Sequence, residues 1–233
     1  LPAISYVKWI GLAFEDVVHG EWEHLTSKNF IKEYFRPEYT FHPPFARILT
    51  GITWAIFHDS LGEIKALRLA PAILFSLSVL ALYLLVSEYY GLVPGLLASL
   101  GLLLCPAPFG HAHLIALDSP IASMWLITAF CFVKGLYSRR WAILFAVSVG
   151  LSMNTKIHGF AIPFPLFLWG FCFFGKKTSA NLWSFLILTP LTVFLTYPKY
   201  WYSPESLIYF LDYMTSKQGY EQVSTHFLGK VHP

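Results

Sequence analysis

Two adjacent acidic residues near the start of the chain, Glu15 and Asp16, are candidates for a catalytic base. They follow an apolar stretch, and a desolvated carboxylate at a membrane edge can accept a proton from a substrate hydroxyl. The competing interpretation is a solvated boundary at which the chain leaves the membrane. On these two residues alone, the boundary is the better explanation.

Asp118 and Lys156 each lie at the end of an uncharged segment. Asp118 comes before Ser119 and Pro120, so it either caps the free N–H groups of a helix or serves a site, because charges near hydrocarbon are costly. Lys156 could snorkel toward water. It lies on the side of the membrane where basic residues are not expected, which favours a function.

Three further residues could contribute positive charge or rigidity. His42 opens a stiff turn with Pro43 and Pro44, in which each proline fixes its own φ and restricts the residue before it. A structural turn explains that motif without any function. His158 and Arg47 are additional cationic candidates close to these segments.

No set of residues has the spacing of a metal site. The strip from Asp16 to His24 contains acids and histidines, but its spacing matches no zinc pattern and predicts an exposed polar surface. Cys105, Cys131 and Cys172 are too widely spaced for a disulfide framework and are expected to be small core residues.

The composition is that of a membrane protein. Of the 233 residues, 56% are hydrophobic and only 12% are charged, against about 25% in soluble domains, and the mean hydropathy is +0.56. Disorder, a coiled coil and a disulfide-stapled secreted scaffold are excluded. The net charge of +3 is too small and dispersed to indicate a nucleic-acid partner.

Uncharged runs predict an all-α, polytopic integral membrane protein with about six spans, each near the length that a bilayer requires. The predicted spans are 69–87, 93–105, 119–133, 141–155, 157–175 and 178–198. Apolar residues among polar ones at 45–57 and after Pro204 predict helices lying in the membrane interface.

Three regions follow from this division. We expect residues 1–67 to form an external loop with juxtamembrane helices after an upstream span, residues 68–198 to form the transmembrane module, and residues 199–233 to be an external juxtamembrane segment of a truncated chain.

Basic residues in short loops set the orientation, because lysine and arginine are retained in the cytoplasm. Lys134, Arg139 and Arg140 lie in one loop, and Lys176 and Lys177 lie in another two spans later. Both loops are therefore predicted to be cytoplasmic. The opposite, extracytoplasmic face then carries the acidic pair, the histidine-proline turn, and the span ends at which Asp118 and Lys156 lie.

The motifs also occur in an order that resembles a known family. The acidic pair, the HPPF sequence at 42–45, the ALDSP sequence at 116–120 and the NTKIHG sequence at 154–159 resemble polyprenyl-phosphate-sugar-dependent glycosyltransferases with a GT-C fold. The nearest subgroup is glycosyltransferase family 39, which contains the protein O-mannosyltransferases and aminoarabinose transferase-like enzymes.

The resemblance implies a catalytic acid in the first external loop and an external carboxylate, here Asp118, near the donor head group or the acceptor. The usual Asp-Glu order of the family is reversed in this chain. The base is Glu15 by position and Asp16 by residue type, and Asp16 is the preferred candidate.

The implied reaction moves a sugar, expected to be a hexose such as mannose, from a polyprenyl phosphate to a hydroxyl of a protein, lipid or glycan. Lys156, with His158 or Arg47 as alternatives, would stabilise the leaving phosphate. His42 is expected to line the same substrate site. No ligand cluster in the sequence demands a cofactor, although a divalent cation could bridge phosphate and carboxylate. A secondary transporter and a non-catalytic membrane subunit of the same fold are the alternatives.

Overall fold

A computed structural model of the protein describes residues 1–35, 42–203, 205–208, 212, 225–227 and 230–232. The predicted interfacial helix after Pro204 lies mostly outside these residues, although 205–208 are helical. The predicted helix at 45–57 is present and longer, and the long apolar segments are mainly helical.

The described chain is almost entirely α-helical, as predicted. The helices are α1 (Pro2–His19), α2 (Glu23–Thr26), α3 (Lys28–Tyr34), α4 (Phe45–Leu61), α5 (Glu63–Tyr90), α6 (Leu92–Leu104), α7 (Pro106–Ala112), α8 (Asp118–Gly135), α9 (Arg139–Met153), α10 (Pro163–Phe174), α11 (Ser179–Thr196) and α12 (Lys199–Tyr202). Short 3₁₀ turns cover Ile157–Phe160 and Gly175–Thr178. Two short antiparallel strands, β1 (Thr225–Phe227) and β2 (Lys230–His232), pair Thr225 with His232.

Contacts between helices define two ends of the bundle. At one end, Lys134 near the end of α8 binds Glu88 near the end of α5, with 2.9 Å between Nζ and Oε2. At the other end, Lys156 after α9 meets Asp118 at the start of α8. Helices α8 and α9 therefore run in opposite directions, as two consecutive membrane spans require.

Length and apolarity single out fewer helices than the six predicted spans. In the described part of the chain, two helical segments qualify, Glu63–Tyr90 and Ile157–Thr196, or three if Leu92–Leu104 and Pro106–Ala112, which meet at 66°, count as one broken span. The rings of Phe167 and Phe185 lie 5.3 Å apart, so the segment Ile157–Thr196 must reverse direction between them, near Gly175. The count of six spans remains a prediction.

Large apolar side chains cover the outside of several helices. Leu97 and Leu104 on α6 and Phe164 and Phe173 on α10 are 65%, 74%, 73% and 75% exposed. Such extended apolar surface is unfavourable in water and is the usual lipid-facing surface of a membrane bundle.

The interior of the bundle is packed by aromatic rings and small residues. The ring of Phe132, fully buried, lies 5.0 Å from that of Phe145 and 5.6 Å from that of Phe167. Helices α9 and α11 approach closely at Gly150, where a Cβ would lie 2.7 Å from the Cβ of Thr192. Small residues at helix contacts allow such close packing in membranes.

Asn154 joins three elements at the end of the bundle that carries Lys156. Its Nδ2 donates to the carbonyl of Val193 at 2.8 Å and to the hydroxyl of Thr196 at 2.6 Å. Its own carbonyl accepts the N–H of Phe45, the first residue of α4, at 2.8 Å. The Val193 carbonyl is among the last four of α11 and the Phe45 N–H among the first four of α4, so neither has a partner within its own helix.

We expect Asn154→Leu to lower the free energy of unfolding by about 1–3 kcal/mol, because buried acceptors at the end of α11 lose their donor. Thermal unfolding in detergent measures the change. Asn29→Leu, at an exposed position on α3, is the matched control and should unfold near the wild-type temperature. Equal unfolding temperatures for the two variants would contradict the role assigned to Asn154.

The predicted orientation can be tested with single cysteines at exposed positions in a background without the three native cysteines. A cysteine must be exposed to react with the reagent. His113 and Ser179 are exposed, whereas the preceding residues, Ala112 and Thr178, are fully buried and unsuitable for labelling. His113→Cys should react with an impermeant maleimide in intact cells, and Ser179→Cys should react only after permeabilisation. The reverse pattern would invert the orientation.

Candidate active site

An ion pair between Lys156 and Asp118 forms the centre of the candidate site. Lys156 Nζ donates to Asp118 Oδ1 at 2.5 Å, and the two side chains are 19% and 59% exposed. The hydrogen bond from Lys156 lowers the pKa of the Asp118 carboxyl below its usual value, and partial burial opposes that effect. At this exposure the pair adds little stability, so its main effect is to hold the lysine in place.

A tight turn after α9 places Lys156. The backbone N–H groups of Thr155 and Lys156 both donate to the carbonyl of Ser152, at 3.0 and 3.3 Å, and Gly159 donates to the Lys156 carbonyl at 2.9 Å. A Cβ at position 159 would lie only 2.2 Å from the Ser152 carbonyl oxygen. Only glycine therefore fits there, and the NTKIHG sequence has a local structural reason.

The turn at His42 packs against this segment. Pro43 and Pro44 are buried, and the following N–H, that of Phe45, is held by the carbonyl of Asn154. Arg47 Nη1 donates to the His42 carbonyl at 3.4 Å. The histidine-proline motif and the lysine turn, separated by more than a hundred residues, are thus joined by a direct backbone hydrogen bond.

The electrostatic environment of His42 is shared with the other predicted binding residues. Burial lowers the pKa of the His42 imidazole, and the nearby positive charges of Lys156 and Arg47 lower it further, while Asp118 opposes them. His158, which is exposed, is also near enough to affect this pKa. The structure therefore brings together all five residues predicted to bind substrate. His42 is neutral near pH 7 because its pKa lies below the ordinary value of about 6.5.

The two predicted acids lie in very different environments. Asp16 is only 4% exposed and accepts two hydrogen bonds from His24, one from the backbone N–H at 2.6 Å and one from Nδ1 at 2.5 Å. Burial alone would raise the pKa of Asp16, but the bonds from His24 outweigh it and the pKa is lowered. Glu15 is exposed. The prediction of an exposed polar strip is therefore wrong for Asp16.

His24, which the sequence suggested only as an unconvincing metal ligand, reaches Asp16 because the chain reverses between them. Helix α1 ends at Gly20, whose φ of +74° is in the left-handed region that favours glycine, and the N–H of Glu21 bonds back to the carbonyl of Asp16 at 2.8 Å. Gly20, which follows the apolar stretch and the acidic pair, was the available sequence signal for this reversal.

Aromatic contacts connect the Asp16–His24 pair to the end of the bundle that carries Lys156. Trp9 Nε1 donates to the His24 carbonyl at 3.0 Å, and the Trp9 ring lies 5.8 Å from that of Trp201. Trp201 in turn donates to the Phe194 carbonyl in the last turn of α11 at 2.7 Å. These contacts join the Asp16–His24 pair to the end of α11, to which Asn154 of the lysine turn also bonds.

Two apolar cavities adjoin this region. One, of about 270 Å³, reaches from Asp118 between α5, α6, α7 and α8. The other, of about 480 Å³, lies beside α11 and is lined by Met153, Pro190 and Tyr200 among others. The first offers apolar space beside the charge of Asp118, which suits an amphiphilic ligand, and the lining of the second contains no charged side chain. Among the described residues, no three His, Cys, Asp or Glu side chains are grouped to hold a metal ion.

Residues 41–202, more than half of the chain, match the family described as dolichyl-phosphate-mannose-protein mannosyltransferase. The matched segment contains the five clustered residues but begins after the acidic pair and His24. No curated protein and no solved structure matches the chain. The family match agrees with the helical architecture and with the resemblance drawn from the motifs. The chain belongs to the dolichyl-phosphate-mannose-protein mannosyltransferase family, a family of membrane glycosyltransferases with the GT-C fold.

Proposed function

We propose that the protein transfers a hexose, such as mannose, from a polyprenyl-phosphate donor to an acceptor hydroxyl at the extracytoplasmic face of a membrane. The observation that carries this proposal is the Lys156–Asp118 pair, which lies near His42 and Arg47 at one end of a helical bundle of this family. The cluster combines fixed positive charge with adjacent apolar space, as a lipid phosphate requires.

Transfer breaks the bond between the anomeric carbon of the sugar and a phosphate oxygen, so negative charge grows on the leaving phosphate. Lys156 and Arg47 are the cations available to stabilise that charge. Asp118 would keep Lys156 pointed at the phosphate through its hydrogen bond. His158, exposed beside the pair, is an alternative contact for the phosphate or the sugar.

The acceptor must lose a proton during transfer, and the base is proposed to come from the acidic pair. Asp16 is the better candidate, because His24 fixes its carboxylate in one orientation, whereas Glu15 is exposed. The carboxylate is ionised at neutral pH, since its pKa is below the ordinary value of about 3.9.

The positions of the basic residues support an extracytoplasmic site, and the family supports a protein acceptor. The basic residues Arg139, Arg140, Lys176 and Lys177 lie at the end of the bundle opposite to Lys156, so retention of these residues in the cytoplasm would put the site outside. The name of the family points to a protein hydroxyl as acceptor. The polyprenyl tail of the donor would remain in the bilayer beside the apolar cavities.

The role of Lys156 predicts a large loss of transfer in Lys156→Met, by roughly 10²–10³-fold in kcat, because a charge aimed at the leaving phosphate is removed. Membranes containing the protein are given radiolabelled polyprenyl-phosphate mannose, and label is counted in the protein, glycan and lipid fractions. Lys65→Met, at an exposed position on α5, is the matched control and should transfer at the wild-type rate. Absence of transfer by the wild-type protein, from the mannose donor and its glucose counterpart, would refute the proposed function.

The acidic pair predicts different losses in Asp16→Asn and Glu15→Gln. If the base depends on Asp16, its amide should slow transfer by about 10²–10⁴-fold, while Glu15→Gln should have the smaller effect. The same membrane assay measures both. Asp59→Asn, whose side chain is 93% exposed, controls for the loss of a carboxylate. Near wild-type transfer by both acid variants would show that these residues only mark the membrane boundary.

A further inference from the structure

The smaller of the two cavities begins at Asp118 and lies between helices α5, α6, α7 and α8. Helices α6 and α7 meet at 66°, so that α7 contacts both α5 and α8 and encloses the space between them. Asp118 lies at the end of the cavity that adjoins Lys156, and α8 continues the lining through Ser119, Ser123 and Leu126. From Asp118 to Leu126 the helix rises about 12 Å. The cavity therefore leads from the ion pair into the bundle.

Two serine hydroxyls in this lining have no hydrogen-bond partner among the residues that the structure describes. Ser119 and Ser123 are only 5% and 2% exposed, and both Oγ atoms are buried. A helical serine commonly donates to a carbonyl of its own helix, as Ser78 in the same lining does to Phe75 at 2.7 Å. A buried hydroxyl without a partner is unfavourable. We therefore expect both hydroxyls to bond to a molecule that enters the cavity.

The polar groups of the cavity are spread along one wall. Ser119 and Ser123 lie one helical turn apart on the same face of α8. Oδ1 of Asp118 accepts from Lys156, and Oδ2 can accept a further hydrogen bond. His111, on α7, also lines the cavity. The remaining lining is apolar apart from Ser78, whose hydroxyl is already bonded. This arrangement suits a small ring that carries several hydroxyls.

We propose that this cavity holds the hexose of the donor and that Ser119 and Ser123 bond to its hydroxyls. This inference rests on the proposed function. The anomeric carbon of the hexose is attached to the phosphate, so a phosphate at Lys156 places the sugar next to Asp118. The two serines then help to determine which hexose is accepted, because each orients and recognises a particular hydroxyl.

The size and the polarity of the cavity favour the sugar over the polyprenyl chain. At about 270 Å³ the cavity lies just below the range of about 300–1,000 Å³ that is usual for drug-sized ligands, so it suits a single ring. A polyprenyl chain has no hydroxyl and would leave both serines without a partner. The larger cavity beside α11, of about 480 Å³ and without a charged side chain in its lining, is better suited to the chain.

Ser119→Ala and Ser123→Ala should each lower kcat/KM for polyprenyl-phosphate mannose by about 3–10-fold, because each removes one hydrogen bond to the sugar. The double variant should lose about 10–100-fold. The membrane assay described above measures these values. Ser99→Ala is the matched control, since Ser99 is 7% exposed but bonds to the Gly95 carbonyl of its own helix at 2.9 Å. It should transfer at the wild-type rate.

A series of mannose donors that each lack one hydroxyl separates direct contact from a structural role. If Ser123 bonds to one hydroxyl, the donor without that hydroxyl should be used equally by Ser123→Ala and the wild-type protein. The other donors should keep the difference of about 3–10-fold. The same comparison applies to Ser119→Ala, with a different hydroxyl. A ratio that is the same for every donor would overturn the contact with the sugar.

Thermal unfolding in detergent without donor supplies a measurement that does not depend on activity. Both alanine variants should unfold at or above the wild-type temperature, because an unpartnered buried hydroxyl has been removed. A lower unfolding temperature would show that the hydroxyl has a partner within the protein, and would overturn the site.

The failure of this inference differs from the failure of the proposed function. Wild-type transfer that is lost in Lys156→Met but unchanged in the double serine variant would overturn the sugar site and leave the proposed function intact. Absence of transfer by the wild-type protein from the mannose donor and its glucose counterpart would overturn both.

Discussion

The ends of helices in a membrane bundle need hydrogen-bond partners, and much of this structure depends on how that need is met. The last four carbonyls and the first four N–H groups of a helix have no partner within it, and hydrocarbon offers none. Asn154 supplies a donor to the end of α11 and an acceptor to the start of α4. Trp201 supplies a further donor to the end of α11. The polar residues that complete these helix ends therefore join the segments that carry the candidate site.

The same constraint explains why the charged residues of the site are paired. A lone lysine beside hydrocarbon is costly, and so is a lone carboxylate, but the two together need less solvation. Lys156 and Asp118 meet across the ends of α9 and α8, and Lys134 and Glu88 meet at the opposite end of the bundle. The hydrogen bond to Asp118 holds the ammonium of Lys156 in one direction. A phosphate group that approached it would compete with Asp118 for the ammonium, which would tie donor binding to the start of α8.

Sequence reasoning found the features that depend on local composition. Uncharged runs located the long helices, and the NTKIHG and HPPF sequences located two turns that the structure joins. It did not find contacts that depend on chain reversal. The predicted span 157–175 is a 3₁₀ turn followed by α10, and the chain folds back at Gly175. Asp16 was expected on an exposed strip because its acids and histidines match no metal-site spacing, and its burial accompanies the reversal at Gly20 that brings His24 against its carboxylate. Such burial is a tertiary effect that one sequence does not encode in its periodicity.

The division of charge between the two parts of the site has a chemical consequence. A proton acceptor and a cation placed side by side would weaken each other, because a positive charge beside an imidazole disfavours its protonation. His42 illustrates this, since Lys156 and Arg47 help to hold its pKa below the ordinary value. His24 lies instead beside Trp9 and contacts the carboxylate of Asp16. The aromatic contact between Trp9 and Trp201 stands between the two environments. His42, next to the lysine, is therefore better suited to hydrogen bonding as a neutral ring than to accepting a proton.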